Sequence, residues 1–101
     1  LQPETSFEGK ITFSGTFKIG GYFKGEVISG GTLIIDEGAR VEANINVGEV
    51  VLKGQLSGHV VAEKRIVMLA PAKFKGTVSS PNLKIEEGVH FEGESSPPRG
   101  H

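Results

Sequence analysis

The chain of 101 residues contains no cysteine and no tryptophan, and only one methionine and one tyrosine. The absence of cysteine excludes disulfides, thiolate zinc sites and cysteine nucleophiles, and it fits a reducing compartment. No run of about 18 apolar residues is present, so no segment is expected to span a membrane. The 11 lysine and arginine residues balance 12 acidic ones, and the net charge at pH 7 is −1. This balance argues against nucleic acid as a partner, because proteins that bind the phosphate backbone carry a basic patch.

Glycine, in contrast, is abundant, with 15 residues, and it recurs within a five-residue pattern. The pattern has a large apolar residue first, a small residue third and, in most copies, a β-branched residue fifth. Successive copies begin 15 to 18 residues apart, at Phe7, Phe23, Val41, Leu56, Phe74 and, in a degraded form, Phe91. Repetition at this length predicts similar structural units stacked within one domain.

A second apolar segment lies between successive copies of the five-residue pattern. Its five copies are Phe17-Lys18-Ile19, Leu33-Ile34-Ile35, Val50-Val51-Leu52, Ile66-Val67-Met68 and Leu83-Lys84-Ile85. Both segments alternate with period two, which is typical of a strand with one buried face. Because one unit is too small to bury its own apolar face, the units are expected to stack in parallel at about 4.8 Å per layer. The sequence therefore predicts an all-β protein, a parallel β-solenoid of about six windings.

In-register stacking places the inward residues of the five-residue pattern in two columns. The residues expected to form the middle of these core columns are Phe23, Val27, Val41, Ile45, Leu56, Val60, Phe74 and Val78. The outward positions between the columns carry opposite charges on adjacent layers, for example Lys10 beside Glu26 and Lys75 beside Glu92. Such cross-strand pairs favour one register over a slipped one.

The two ends of the stack are expected to differ from its middle. Residues 1–6 and 95–101 carry few apolar side chains, so they are expected to be disordered tails around a β-helix domain at residues 7–94. Each terminal layer presents an unpaired strand edge and an uncovered cross-section of the core, and no capping helix is predicted. The residues expected at these ends, and hence at an end-to-end polymerisation interface, are Phe7, Ile11, Phe13, Leu83, Ile85 and Phe91.

No pattern in the sequence indicates a catalytic, cofactor-binding or metal site. The acidic pairs Asp36-Glu37 and Glu86-Glu87 precede glycine in equivalent turns and are interpreted as solvated turn residues. The histidines are not spaced as metal ligands; they are His59, His90 and His101. Catalysis, a metal and a cofactor are therefore not expected.

Two further features are interpreted as structural. The pairs Gly20-Gly21 and Gly30-Gly31 are interpreted as turns that need a positive φ, since no P-loop lysine follows them. Val67 and Leu69 are expected to face outward, and a scattered apolar pair on the surface is the simpler interpretation of them.

The repeat is similar to that of the bactofilins, bacterial polymer-forming cytoskeletal proteins whose core is a short right-handed β-helix. The similarity covers about residues 7–94 and rests on the runs from Phe7 to Val27, Val50 to Val60 and Leu83 to Gly93. It implies filaments that form through the solenoid ends without nucleotide, including a non-polar kind in which like ends meet. It also implies a cytoplasmic scaffold near the inner membrane that localises cell-wall or shape-determining partners. Some members attach to membrane through an apolar N-terminal stretch, and residues 1–6 do not match one.

Two alternatives to a filament-forming scaffold remain open from the residues alone. One is a monomeric solenoid with capped ends, an adaptor that binds a protein partner along its flank. The other is a left-handed β-helix acyltransferase, a class that repeats hexapeptides and uses a histidine in a groove between subunits. The two segments here differ in pattern and the units differ in length, so the leading prediction is a homopolymer without enzymatic activity.

Overall fold

The computed structural model describes residues 6–96, and every regular element in this range is a β-strand. The strands are β1 (Ser6–Thr12), β2 (Thr16–Ile19), β3 (Tyr22–Ile28), β4 (Thr32–Ile35), β5 (Arg40–Leu52), β6 (Gln55–Met68), β7 (Lys73–Ser79), β8 (Leu83–Ile85) and β9 (His90–Ser96). The terminal strands therefore reach one residue before and two residues after the domain expected at 7–94. The rest of the expected tails, residues 1–5 and 97–101, lies outside the described residues.

The strands pair in parallel and build two walls of one β-solenoid. The first wall follows the order β1-β3-β5-β6-β7-β9. The second wall consists of β2, β4, the C-terminal parts of β5 and β6, and β8. The predicted parallel solenoid is thus confirmed. Because six strands form the first wall and five segments form the second, the chain makes about five complete turns rather than six windings.

The register of the first wall is the one that the repeat predicts. Phe7, Phe23 and Val41 are neighbours on successive layers, as are Val27 and Ile45. All eight residues expected in the middle of the core columns are buried. The second wall completes this core with the inward residues of its own segments, which are Ile19, Leu33, Ile35, Val50, Leu52, Ile66 and Met68. The core is therefore a continuous apolar column along the solenoid axis.

The backbone explains why the third residue of the five-residue pattern is small. Gly25 has a φ of 142° and Gly76 a φ of 137°, a region that L side chains rarely adopt. A Cβ on Gly76 would also lie 1.9 Å from the carbonyl oxygen of Gly58 in the preceding layer. Ala43 occupies the same column without a positive φ. Glycine is thus required at most layers because the conformation and the close approach of the next layer both exclude a side chain.

The prediction that the two glycine pairs have a positive φ is wrong. None of Gly20, Gly21, Gly30 and Gly31 has a positive φ. Gly31 is instead close to the preceding layer, since a Cβ there would lie 2.1 Å from the carbonyl oxygen of Gly15. Gly31 is therefore explained by the close approach of the preceding layer and not by a positive φ.

The Gly76→Ala substitution is expected to lower the free energy of unfolding by at least about 2 kcal/mol. The methyl group meets backbone, which cannot move aside as a side chain would, and the φ of 137° is unfavourable for alanine. Urea unfolding followed by circular dichroism measures the change. The matched control is Gly30→Ala, because a Cβ at Gly30 meets nothing within 4 Å and φ is not positive there. Equal midpoints for the two variants would contradict this explanation of the glycine column.

Charged side chains connect adjacent layers on the outside of the walls. The ion pair expected between Lys10 and Glu26 is present, with a Nζ–Oε1 distance of 3.9 Å. Lys18 and Asp36 are 3.3 Å apart from Nζ to Oδ2. The pKa of Asp36 is lowered mainly because its carboxylate accepts the Glu37 N–H, and further by Lys18. Exposed pairs of this kind add little stability, but they disfavour a slipped register.

Candidate assembly surfaces

The N-terminal end of the solenoid exposes apolar side chains beside unpaired strand edges. Within residues 6–96, β1 pairs with β3 alone and β2 with β4 alone. Phe7 is 38% exposed, and its ring stacks on Phe23 with a centroid distance of 5.6 Å. Three further side chains in this layer are half-buried against the core, namely Ile11, Phe13 and Phe17. This end is therefore a partly covered cross-section of the core.

The C-terminal end has the same character but a different shape. In the described range β9 pairs only with β7, and β8 pairs only with β6. The first wall consequently extends one strand further than the second wall. Phe91 stacks on Phe74 at 5.3 Å between ring centroids, and Ile85 is 41% exposed. The end is a step, with β9 above the level of β8.

All six residues expected at a polymerisation interface lie in or next to the terminal layers, three at each end. None of them is fully buried. Two comparable side chains were not among those expected, Phe17 at the first end and Val89 at the second. Phe17 heads the first copy of the second segment, and Val89 aligns with the buried turn residues Ala39 and Ala72, so alignment of the repeats would have identified both.

In the described residues, no side chains are grouped as a metal-binding or catalytic site. The side chains buried in residues 6–94 are all apolar. No group of three or more potential metal ligands occurs in the described part of the chain. His59 contacts Thr77 on the outer surface, and His90 Nε2 lies 3.1 Å from Glu92 Oε1 with both side chains exposed. His101 lies outside the described residues.

The acidic pairs are turn residues, as expected. In the turn after β4, the Ala39 N–H donates to the Asp36 carbonyl oxygen at 3.1 Å. In the turn after β8, the Val89 N–H donates to the carbonyl oxygen of Glu86 at 3.3 Å. The Glu86 carboxylate also accepts the N–H of Ala70 from the preceding layer at 3.0 Å. In each pair the first residue therefore contacts the preceding layer, Asp36 through Lys18 and Glu86 through Ala70.

Tyr22, the single tyrosine, also connects two adjacent layers on the outer surface. Tyr22 Oη donates to Glu42 Oε2 at 2.5 Å across adjacent layers. This hydrogen bond to a carboxylate raises the pKa of Tyr22 above its ordinary value of 10.0. A tyrosine held in this way is a register contact rather than an acid or a nucleophile.

Comparison with known proteins identifies the family. The family model of the bactofilins, described as polymer-forming cytoskeletal proteins, matches residues 1–96. The chain belongs to the bactofilin family. It is 26% identical to the bactofilin BacO of Myxococcus xanthus over an alignment of 86 residues. This alignment covers 85% of this chain and 68% of BacO. It is 24% identical over 91 residues to BacP of the same organism, which covers 90% of this chain and 38% of BacP.

A solved structure supports the same conclusion at the level of the fold. The chain matches a cryo-EM reconstruction of Thermus thermophilus bactofilin double helical filaments with a TM-score of 0.90 and 29% sequence identity. The match covers 97% of each chain. Because the bactofilins are a structural family, the chain is a cytoskeletal filament protein and not an enzyme, and the acyltransferase alternative is wrong. No helix in the described residues is long and apolar enough to cross a membrane.

Proposed function

We propose that the chain is the subunit of a cytoskeletal scaffold whose copies join end to end through their first and last layers. The proposal is supported by one observation: the terminal layers place apolar residues in the same column as the core layers next to them. Phe7 and Phe91 continue the column of Phe23 and Phe74, yet each has a neighbouring layer on one side only. Another subunit placed on either end would extend the same column.

End-to-end contact also satisfies the edges of the terminal strands. Unpaired N–H and C=O groups on a strand edge readily pair with another chain. Covering Phe7 and Ile85 removes apolar surface from water, at about 25 cal/mol per Å². These contributions depend only on contact between subunits, so assembly requires no nucleotide.

The proposal includes pairing of filaments and a scaffolding role in the cell. The Thermus protein is described in double helical filaments, and we extend that pairing to this chain. A filament offers the same outer surface at every subunit, which suits it to collecting copies of a partner along its length. We place this scaffold in the cytoplasm at the inner face of the membrane, with cell-wall or shape-determining proteins as its partners.

Purified protein is expected to form filaments in negative-stain electron micrographs in buffer without nucleotide. Addition of ATP or of a phosphatase that removes nucleotides should change neither filament length nor the pelleted fraction. Sedimentation velocity at several concentrations should show the mass rising with concentration. Monomers at all concentrations, salt levels and pH values would overturn the proposal and favour the capped adaptor.

A further inference from the structure

The second wall carries an apolar stripe on its outer surface. The stripe consists of Ile34, Val51 and Val67, the central residues of the second segment in three successive layers. Ile34 is the register partner of Val51, and Val51 is the register partner of Val67. Lys18 and Lys84 occupy the same column in the layers before and after. The flank stripe is therefore continuous over the central layers and ends in a lysine on both sides.

Two outward columns on the first wall show that the solenoid does not need apolar residues at such positions. One column contains Glu8, Lys24, Glu42, Ser57, Lys75 and Glu92, and the other contains Lys10, Glu26, Asn44, His59, Thr77 and Glu94. Neither includes an apolar side chain. Threonine would supply the β-propensity of valine with a polar group, yet none occurs in the flank stripe. A third outward column on the first wall contains Ile28 and Val61, but Asn46 separates them. The flank stripe differs in being apolar over three successive layers, and it includes Val67, which was expected to be half of a scattered pair.

The surroundings of the flank stripe are complementary to a second copy of the same face. Val51 has Glu49 two residues before it and Lys53 two residues after it, both half-exposed. Within the subunit, Glu49 Oε2 lies 3.5 Å from Arg65 Nε of the following layer. A two-fold rotation about an axis parallel to the solenoid sets Val51 against Val51 of the second copy. The same rotation brings Glu49 opposite the Lys53 of that copy, so that opposite charges flank the apolar contact.

We propose that the flank stripe is the surface by which a second filament of this chain lies against the first. The proposal rests on the proposed function, since it concerns filaments and not free subunits. Three half-exposed side chains bury far less than the roughly 1,200–2,000 Å² of a stable interface, so single subunits do not pair through them. Joined end to end, the subunits repeat the stripe along a rod, and weak contacts then act together. Because parallel strands twist from layer to layer, the stripe winds around the rod, and two filaments that share it wrap around each other.

The test substitutes Val51 in the middle of the flank stripe. Val51→Lys introduces a residue that the same column already contains at Lys18 and Lys84, so the solenoid accommodates it. Asn44→Lys is the matched control. It adds the same charge to the same layer, but on an exposed position of the first wall. Filaments of the wild-type chain and of both variants are imaged by cryo-EM, and single and paired filaments are counted at equal protein concentration.

We expect paired filaments in the wild type and in Asn44→Lys, and at least about a tenfold smaller paired fraction in Val51→Lys at unchanged total filament mass. Equal pairing in Val51→Lys and the wild type would overturn the proposed surface. Loss of pairing in both variants would also overturn it, because the effect would then follow charge rather than position. If the wild type forms only single filaments, the proposal that filaments pair is overturned and end-to-end assembly stands. If the wild type forms no filaments at all, both proposals are overturned.

Discussion

Phe91→Arg is expected to prevent filaments at the concentrations at which the wild type assembles, while the solenoid stays folded. Phe91 is half-buried in the last described layer, where its ring stacks on Phe74 of the layer before. In the free subunit an arginine there reaches water, whereas an end-to-end contact would bury its charge without a partner. Such burial costs at least about 3 kcal/mol, which corresponds to about a hundredfold higher concentration for assembly. Pelleting assays across protein concentration measure this shift, and circular dichroism confirms the fold.

The control for this variant is Glu94→Arg on the same strand. Glu94 is exposed and points away from the core, so an arginine there adds charge near the end without entering the cross-section. It is expected to assemble at concentrations close to those of the wild type. The end-contact proposal fails if Phe91→Arg pellets like the wild type. It also loses its support if circular dichroism shows Phe91→Arg unfolded, since Phe91 would then be a residue of the core alone.

Ile45→Arg is expected to unfold the protein. Ile45 is 2% exposed in a middle layer and lies between Val27 and Val60 of the adjacent layers. A guanidinium there has no path to water and no acidic partner, because the buried residues around it are apolar. We expect a loss of more than about 4 kcal/mol, a large fraction of the 5–15 kcal/mol that stabilises a typical domain. Thermal scans by circular dichroism should show no cooperative transition.

The neighbouring residue provides the control. Asn46 follows Ile45 on β5 and is exposed on the opposite face. Asn46→Arg is expected to keep the β-sheet signal and a cooperative transition close to that of the wild type. A native spectrum for Ile45→Arg would contradict the continuous core column. The contrast with Phe91→Arg separates burial within the subunit from burial between subunits.

The sequence predicted the core because its signals are periodic. The spacing of Phe23, Val41 and Leu56 specifies which residues stack, and the alternation within each segment specifies which side faces in. The ion pair between Lys10 and Glu26 confirms the same alignment on the outer surface. Stacking in register multiplies a weak five-residue pattern by the number of layers, and the columns follow from that repetition.

Other features depend on how adjacent layers approach each other, which the pattern does not contain. The glycines with positive φ include Gly25 and Gly76 in the strands, not the pairs expected in the turns. The flank stripe was not predicted, because the interpretation of Val67 and Leu69 as a scattered pair did not include Val51, the register partner of Val67 in the preceding layer. The number of complete turns differed from the number of repeat copies because the last copy, at Phe91, is not followed by a second-wall segment in the described range.

The unequal length of the two walls has a mechanical consequence. Since β9 overhangs β8, a joint at that end closes fully only when the neighbouring molecule fills the missing half-layer. A flat end would accept the neighbouring subunit in many rotational orientations about the solenoid axis. An overhanging strand allows only the orientation in which the neighbour fills the missing half-layer. Each joint would then impose the same angular offset, and the pitch of the polymer would be encoded in the subunit itself.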